Sequence, residues 1–492
     1  MTITNYSFKY DAHKDSRNSH FLQVRYTDIF GRFHAKYIHT SKDQLHTVFR
    51  NGVGLDGSSV RGFANIDESD MLLLPDRKTL KKVAMGGLEI STAIADVYKG
   101  FNLGRSSKDP RNVTQRLEDH LALNQITCQI GAEVECFIFD DIEYSRIQRV
   151  DDAGPSKNND DITSGIIINS FEQVGSGKYP IRIKDGYDAP PFQDSLIGFR
   201  FEIANTLRQH YGIEATNLNH EVASSGQIEI NFIHDYLTKS ADNVQYYKDV
   251  VRNTAKSHSK IANFMPKPLY DESDHKKSDN GSGMHVSVSL WKKKSTNSMN
   301  LFYDENEKTA EISQTGRYFI GGILDHACSL AAIVTPTVNS YNRLIPGFEA
   351  PVYLAWASGN RSAVVRVPVN EKRSSKSKRI EFRAPDPSAN PYLAFSATVA
   401  AGLDGIKRKI EPGDQTSKDI YKMRHSERKG LGIGTLPANL YEALNALKSD
   451  TSYLGDCFNS ELISTYLELK YAELKKLKNN SRFEQFLTYY DV

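Results

Sequence analysis

Acidic side chains within strand-like segments constrain this chain most strongly. Five glutamates and one histidine lie in four such segments: Glu133 and Glu135 in GAEVECFIFD, Glu221 and Glu229 in NHEVASSGQIEINF, His285 in NGSGMHVSVSL, and Glu381 in KRIEFRAPDP. Several carboxylates converging on one cavity are costly to bury unless a cation compensates their charge. Oxygen ligands with a single imidazole suit Mg²⁺ or Mn²⁺ better than Zn²⁺. The sequence therefore predicts a divalent-metal enzyme that handles phosphate.

Length and composition indicate a globular protein of two domains. The chain has 492 residues, too many for one ordinary core, with 39% hydrophobic and 25% charged residues. Its net charge of +2 gives no reason to expect binding to nucleic acid or to an anionic membrane. The N-terminus lacks the apolar stretch of a signal peptide, and the run ACSLAAIVTP is too short to span a bilayer, so we expect a cytoplasmic protein.

The four cysteines show neither a CxxC spacing nor a regular framework. A disulfide scaffold and a zinc site are therefore not predicted, and we expect reduced thiols.

Strand and helix patterns are interspersed along the chain, which favours an α+β fold over a doubly wound one. Alternating apolar and polar residues from Phe21 to His39 predict a β-hairpin, and the Gly- and Ser-rich segment 50–65 predicts a loop. Asp109 and Pro110 precede a four-residue apolar spacing, which predicts the start of a helix. We therefore place the domain boundary between residues 107 and 108.

Later segments add helices and two polar insertions. Helical spacing predicts helices near 240–262 and 310–333. Polar, turn-rich sequence predicts surface insertions at 144–165 and 271–278.

Each acidic segment also has an interpretation without a metal. Glu133 and Glu135 face the same side of one strand, which is equally typical of a solvated strand face. Glu221 and Glu229 flank a Ser-Ser-Gly turn, so they are either exposed hairpin carboxylates or neighbours that share a cation. A lone strand histidine such as His285 is commonly structural.

Arginines among apolar residues indicate anion binding. Three of them lie between residues 339 and 368: Arg343, Arg361 and Arg366. An unpaired buried guanidinium is costly, so carboxylate or phosphate partners are expected. Arg379 and Arg383 flank Glu381 on one strand face, which predicts either a solvated ion-pair ladder or an anion site beside a metal ligand.

Together the motifs resemble the glutamine synthetase family, specifically its type I branch. They occur in the family's order over nearly the whole chain: DGSSVRGF, GAEVECFIFD, KDGYDAPP, HEVASSGQIEI, FMPKP, NGSGMHVSVSLW, NSYNRLIPGFEAP, NRSAVVRVP and KRIEFRAPDPSANPYLAF. The resemblance implies a small N-terminal β-grasp domain over residues 1–107 and a large α+β catalytic domain with a curved antiparallel sheet over 108–492. It also implies a homo-oligomer, a dodecamer of two stacked hexamers with active sites between subunits.

The resemblance further implies roles for individual residues. It assigns ligands to one divalent ion, Mg²⁺ or Mn²⁺: Glu135, Glu221 and Glu229. It assigns ligands to a second such ion: Glu133, His285 and Glu381. Four residues would contact ATP: Ser289, Arg361, Arg366 and Lys376. Four would bind L-glutamate: Asn280, Gly281, Arg343 and Arg383. Four would form the ammonium site: Asp56, Ser59, Tyr187 and Glu349.

The activity implied by the resemblance is ATP-dependent ligation of ammonia to L-glutamate through a γ-glutamyl phosphate. Asp56, Glu349 and Arg361 would be the catalytic residues. A related ligase acting on amines or polyamines, and a non-catalytic family member, are the alternatives. All six expected metal ligands are present, whereas Ser287 and Thr216 depart from the family pattern on the nucleotide side.

Overall fold

The computed structural model of the protein describes residues 19–85, 87–148, 150–151, 154–155, 162–172, 178–271, 278–293, 298–346, 350–369, 374–477 and 481–492. The chain divides into two compact units. The first consists of the segment up to Asp28 with Phe33–Asp109, and the second consists of Ile29–Arg32 with Pro110–Val492.

In its described residues, the first unit contains a six-stranded mixed sheet, one α-helix, α1 (Leu45–Asn51), and short 3₁₀ turns. Its strands are β1 (Ser19–Thr27), β2 (Phe33–Ser41), β3 (Val53–Asp56), β4 (Asp70–Pro75), β5 (Lys81–Met85) and β6 (Leu88–Tyr98). The order is β2-β1-β6-β4-β3, with β5 paired to β6. The central strands β1 and β6 are parallel, and alternate residues such as Leu22 and Val24 are fully buried. This arrangement confirms the predicted β-grasp fold.

Local predictions in this unit had mixed outcomes. The hairpin is confirmed, since β1 and β2 pair antiparallel from Ser19↔Ser41 to Thr27↔Phe33. The loop predicted for 50–65 is wrong in part, because β3 pairs antiparallel with β4 before a 3₁₀ turn at Gly57–Ser59. Glycine and polar residues are typical of loops, so the local sequence did not indicate this short strand. Its extended form depends on backbone pairing with β4.

In its described residues, the second unit contains an 11-stranded, largely antiparallel sheet and two separate two-stranded antiparallel sheets. Its strands are β7 (Ile126–Phe139), β8 (Asp141–Gln148), β9 (Val150–Asp151), β10 (Gly154–Pro155), β11 (Ile162–Asn169), β12 (Ala215–His220), β13 (Gln227–Phe232), β14 (Asp235–Tyr236), β15 (Ile261–Asn263), β16 (Met284–Lys293), β17 (Ser298–Asn300), β18 (Tyr353–Ser358), β19 (Ala363–Val367), β20 (Ile380–Phe382) and β21 (Gly434–Thr435). The main sheet follows the order β12-β13-β7-β16-β20-β19-β18-β21. Strands β14 and β15 pair with β7, and β17 pairs with β16.

Helices pack beside this sheet, as expected for the predicted α+β class. They are α2 (Pro110–Leu123), α3 (Ile197–Thr206), α4 (Leu237–Ser257), α5 (Gln314–Asp325), α6 (Ala327–Val334), α7 (Val338–Arg343), α8 (Pro391–Arg408), α9 (His425–Gly430), α10 (Leu440–Ser449), α11 (Ser460–Lys476) and α12 (Arg482–Tyr489). Three of them, α2, α4 and α8, are linked by the buried Asp242 carboxylate, which accepts hydrogen bonds from Arg111 (3.0 Å) and Tyr392 (2.7 Å).

Two helix predictions need correction. The single helix predicted for 310–333 is wrong, because α5 and α6 are separated by a bend of 73° at His326. The His326 ring nitrogens lie 2.8 Å from Asp450 Oδ2 and 2.9 Å from Asp404 Oδ2, which stabilises the bend through partners distant in sequence. The helix predicted for 240–262 ends at Ser257, since Ile261–Asn263 pairs with β7 as β15.

No single helix in the described part of the chain is long and apolar enough to cross a membrane. The bent pair of α5 and α6 passes that test by length and composition.

Candidate active site

Strand pairing in the large sheet brings the predicted acidic residues onto one face. Glu133 on β7 lies opposite His285 on β16, and Glu135 lies opposite Glu229 on β13. Between the two β7 glutamates, Val134 is fully buried on the opposite face of the strand. Alternation along β7 therefore points both glutamates to the same side, while its other face packs into the core.

Three side chains from different strands form what we call the histidine cluster: Glu133, His285 and Glu381. One ligand-type atom from each lies within 4.8 Å of the others. Glu133 Oε2 and His285 Nδ1 are 3.3 Å apart. Two carboxylate oxygens and an imidazole nitrogen at this separation can all reach one hard divalent cation.

Arginines surround the histidine cluster. Arg366 Nη1 donates to Glu381 Oε2 at 2.6 Å, and Arg383 Nε lies 3.3 Å from Glu381 Oε1. Burial raises the pKa of Glu133, but the nearby His285 ring and arginines outweigh it and keep that pKa below its ordinary value. The buried Nε of Arg366 has no hydrogen-bond partner among the described residues, so an anion here would satisfy it.

The other three predicted ligands form what we call the glutamate cluster: Glu135, Glu221 and Glu229. Glu221 and Glu229 are 8% and 7% exposed, and their side chains are close enough to share a hydrogen bond. Glu135 Oε2 accepts the Gly283 N–H at 2.9 Å. The turn joining β12 to β13 brings these carboxyls together, with Gly226 at φ +72°, where an added Cβ would lie 2.4 Å from a backbone oxygen.

Burial and mutual repulsion both raise pKa values in the glutamate cluster, and burial is the larger cause. Burial, followed by the charges of Glu135 and Glu229, raises the pKa of Glu221 to about 11. Burial also raises the pKa of Glu135 to about 7, with a further contribution from Glu229. A divalent cation bound between these carboxylates would offset both their burial and their repulsion. The donor chemistry of both clusters therefore fits divalent metal ions.

The glycine-containing loop, which includes Gly281 and Gly283, lies against the side chain of Arg343 on α7. The buried Arg343 guanidinium donates to the carbonyl oxygens of Ala384 (2.7 Å) and Arg383 (3.2 Å). A Cβ on Gly283 would lie 2.7 Å from Arg343 Nη2, and one on Gly281 would lie 3.0 Å from Arg343 Cγ. The lack of a side chain at both glycines therefore allows this close approach, and the neighbouring Asn280 is buried.

The turn that carries Arg361 is held by side chains that the sequence analysis missed. Asn360 Nδ2 donates to the carbonyl oxygens of Thr416 (3.2 Å) and Lys418 (2.8 Å). Asn360 Oδ1 accepts the Ser362 N–H at 3.0 Å. The exposed Arg361 side chain thus extends from a turn fixed on both sides by Asn360.

The remaining predicted ATP contacts differ in solvent exposure. Ser289 on β16 is 9% exposed and accepts a hydrogen bond from Trp291 Nε1 at 2.9 Å. Ser287, two residues earlier, has a buried hydroxyl without a hydrogen-bond partner among the described residues. Lys376 is exposed in a 3₁₀ turn, Ser375–Ser377.

Tyr187 lies beside the glutamate cluster, with 55% of its surface exposed. The N–H groups of Gly186 and Asp188 donate to the carbonyl oxygens of Val222 (3.1 Å) and His220 (3.1 Å), which lie on either side of Glu221. Partial burial, then the charges of Asp188 and Glu221, raise the Tyr187 pKa.

Two other predicted ammonium-site residues lie in the first unit. Asp56 accepts hydrogen bonds from the hydroxyls of Ser58 and Ser59, each at 2.6 Å, and these contacts lower its pKa. Glu349 lies outside the described residues.

Gln227 is a site residue that the sequence analysis did not identify. Its Nε2 group lies 3.2 Å from Glu135 Oε2, 3.1 Å from the Gly281 carbonyl and 3.2 Å from Ser282 Oγ. It precedes Glu229 by two residues, so the strand period that links Glu133 to Glu135 also predicts that Gln227 shares the face of Glu229. Gln227 thus joins a metal-ligand candidate to the glycine-containing loop.

Similarity to known proteins extends over nearly the whole chain. The family model "Glutamine synthetase, catalytic domain" matches residues 107–489, and "Glutamine synthetase, beta-Grasp domain" matches residues 18–100. The chain is 42% identical to the glutamine synthetase of Sulfolobus acidocaldarius over 94% of both proteins. It is 40% identical to that of Frankia alni over 96% of both.

Solved structures agree with these matches. The cryo-EM structure of Plasmodium falciparum glutamine synthetase has a TM-score of 0.80 and 26% identity, with 98% of each chain covered. A GmaS structure in complex with ADP has a TM-score of 0.73 and 27% identity, covering 93% of this chain and 94% of that one. From the family matches, the extent of identity and the shared fold, the chain belongs to the glutamine synthetase family.

Proposed function

We propose that the protein ligates ammonia to L-glutamate at the expense of ATP, giving L-glutamine, ADP and phosphate through a γ-glutamyl phosphate. The observation that carries the proposal is the convergence of Glu133, His285 and Glu381 within 4.8 Å, with Arg366 and Arg383 at the Glu381 carboxylate. A metal-ligand set beside arginines suits the transfer of a phosphoryl group. The names of the relatives support glutamate amidation as the purpose of that transfer.

Both clusters are proposed to bind divalent ions, Mg²⁺ or Mn²⁺. Glu133, His285 and Glu381 would bind one ion, and the glutamate cluster would bind the other. When bound, the ions neutralise negative charge on the phosphoryl group and on the buried carboxylates.

Cationic residues are proposed to orient the two anionic substrates. Arg343 and Arg383, with Asn280 and Gly281, would bind L-glutamate so that its γ-carboxylate faces the phosphoryl donor. A separate set would contact ATP: Ser289, Arg361, Arg366 and Lys376. The buried Nε of Arg366 gains an acceptor when a phosphate oxygen is present, which supports this assignment.

The amination step needs groups that accept a cation and remove its proton. Asp56, held by Ser58 and Ser59, would take a proton from ammonium, and Tyr187 and Glu349 would complete the cation site with Ser59. Hydrogen bonds from both serines lower the pKa of Asp56 and so favour its ionised form. Ammonia would then displace phosphate from the activated carboxyl group.

The wider organisation is also proposed from the family. Residues 1–107 would be the β-grasp domain and residues 108–492 the catalytic domain. Twelve subunits would form two stacked hexameric rings in the cytoplasm, with each active site between neighbouring subunits.

A comparison of nitrogen acceptors tests the proposal. The purified full-length protein, with Mg²⁺, ATP and L-glutamate fixed, is supplied with ammonium, putrescine or ethanolamine, and phosphate release is measured. We expect phosphate release with ammonium, together with stoichiometric glutamine by chromatography.

The other results would contradict the proposal. Turnover with putrescine or ethanolamine but not with ammonium would identify an amine ligase. Binding of Mg²⁺ and ATP without turnover of glutamate would indicate a non-catalytic family member.

A further inference from the structure

The C-terminal helix α12 contacts the short helix α7 through the buried side chain of Gln485. Gln485 is 2% exposed, and its Oε1 accepts a hydrogen bond from Asn339 Nδ2 at 3.0 Å and from Asn342 Nδ2 at 2.9 Å. Asn339 and Asn342 are three residues apart on α7 and therefore share one helix face. The Gln485 carboxamide oxygen thus accepts hydrogen bonds from two residues, Asn339 and Asn342, on one face of α7.

The first of these contacts continues toward the glycine-containing loop. Asn339 Oδ1 accepts the Lys267 N–H at 2.7 Å, and Asn339 Nδ2 donates to the Lys267 carbonyl at 3.1 Å. The preceding residue, Pro266, accepts the Ser282 N–H at 2.8 Å. A continuous set of hydrogen bonds therefore runs from α12 through the start of α7 to the loop that contains Gly281.

The second contact lies at the other end of α7, next to Arg343. That helix spans only Val338–Arg343, and a helix of this length has little stability of its own. Arg343 must nevertheless be placed accurately, because a Cβ on Gly281 would already lie 3.0 Å from its Cγ and its guanidinium donates to two backbone carbonyls. External contacts are therefore needed to fix the position of α7, and Gln485 supplies two of them.

A further α12 residue supports the same arrangement. The Tyr489 hydroxyl donates to Glu473 Oε1 at 2.8 Å and accepts the Val338 N–H at 3.4 Å. Gln485 and Tyr489 are four residues apart and lie on the face of α12 that is buried against α7. On the same helix, Leu487 is 44% exposed and offers a matched control position.

We propose that Gln485 is a positioning residue that sets the affinity for L-glutamate by fixing α7 and, through it, Arg343. This inference rests on the proposed function, in which Arg343 binds L-glutamate. A residue that only stabilises the fold would change the amount of active enzyme, whereas a positioning residue changes the affinity for one substrate. ATP, whose proposed contacts lie on other elements, should be bound as before.

Three variants of the full-length protein separate these roles: Gln485→Leu removes the acceptor oxygen, Gln485→Glu keeps an acceptor, and Leu487→Ala is the control. Initial rates are measured against L-glutamate and, separately, against ATP. We expect Gln485→Leu to raise the KM for L-glutamate by about tenfold, because two buried amide groups lose their acceptor. The KM for ATP should stay within about twofold, and Gln485→Glu and Leu487→Ala should retain a KM for L-glutamate near that of the wild type.

Calorimetric titration of L-glutamate makes the test independent of turnover. A weaker Kd in Gln485→Leu, with restoration in Gln485→Glu, supports the inference even if the wild type forms no glutamine, a result that would contradict only the proposed function. Wild-type protein that does not bind L-glutamate would overturn the inference. So would Gln485→Leu with an unchanged KM and Kd for L-glutamate but a lower active fraction.

Asn342→Ala provides a second route if Gln485→Leu does not fold. It removes the contact nearest Arg343 while leaving Asn339 bound to Gln485 and Lys267. We expect the KM for L-glutamate to rise about threefold, in keeping with the loss of one hydrogen bond. An unchanged KM in a folded Asn342→Ala variant would also contradict the proposed role.

Discussion

The histidine cluster and the glutamate cluster lie on the same sheet but differ in the charged groups that surround their buried carboxylates. In the first, Arg366 and Arg383 contact Glu381, and the pKa of Glu133 lies below its ordinary value because the His285 ring and arginines outweigh burial. In the second, burial and neighbouring carboxylates raise the pKa of Glu221 to about 11. The arginines and His285 therefore outweigh burial in the first cluster, whereas burial and repulsion outweigh the donors and cations around the second.

This difference predicts that the stability of the two clusters depends to different extents on a bound cation. A cluster that is already paired with arginines keeps its geometry before a cation arrives. A cluster of buried, mutually repelling carboxyls is expected to gain stability from a cation that it binds. Substitutions in the two clusters should therefore have similar effects on activity and opposite effects on the stability of the metal-free protein.

The largest expected effect is the loss of activity when a ligand is removed from either cluster. Glu229→Ala and Glu381→Ala should each lower kcat/KM by at least about 100-fold, since a bound metal contributes several kcal/mol to transition-state stabilisation. Rates of phosphate release with saturating Mg²⁺ measure this effect. Glu214→Gln, an exposed glutamate just before β12, is the control and should retain wild-type activity. Full activity in either ligand variant would remove that residue from the metal site.

A smaller effect is expected from Glu381→Gln on the stability of the metal-free protein. The substitution leaves two arginines without their carboxylate, so the free energy of unfolding should fall by about 3 kcal/mol. Urea unfolding in the presence of EDTA, at one protein concentration, provides the measurement. An unchanged unfolding midpoint would show that the Glu381 carboxylate is not needed to compensate the charges of Arg366 and Arg383.

Glu221→Gln should change the free energy of unfolding of the metal-free protein in the opposite direction. A carboxyl whose pKa is raised on folding destabilises the native state above its ordinary pKa, because folding must then take up a proton. Neutralising it should increase the metal-free free energy of unfolding by about 1 kcal/mol. The same urea series measures the change, and a decrease like that of Glu381→Gln would contradict the contrast between the clusters. With Mg²⁺ present, the wild type should gain more stability than the variant.

The smallest expected effect is at Ser287, beside the histidine cluster. Its buried hydroxyl has no hydrogen-bond partner among the described residues, so Ser287→Ala should change the free energy of unfolding by less than about 0.5 kcal/mol. We expect the KM for ATP to rise no more than about threefold. Rates measured against ATP check this, and a rise above tenfold would make Ser287 a principal nucleotide contact.

Local sequence predicted those parts of the fold whose partners are close along the chain. The β1–β2 hairpin follows from alternation around one turn, and the helix beginning at Pro110 follows from its apolar spacing. The bend at His326 was missed because Asp404 and Asp450, which contact its ring, lie far away in sequence. β3 was missed because its extended form depends on pairing with β4.

For the site, the two-residue spacing of Glu133 and Glu135 was enough to predict a shared strand face, as the alternation along β7 confirms. Residue types alone did not indicate Gln227 or Asn360, since neutral amides are common in loops and strands. Their importance lies in the groups they contact, such as Glu135 Oε2 for Gln227 and the Thr416 carbonyl for Asn360.

By itself, the sequence determined the chemistry available to this protein: carboxylates and one histidine for divalent ions, arginines for anions, and glycines where chains approach closely. Only the tertiary structure decided which of these residues meet. Register opposes Glu133 to His285 and Glu135 to Glu229, and long-range contacts give one cluster arginines and leave the other with repelling carboxyls. The physical reason is that charge compensation depends on distance in space, which local sequence patterns do not encode.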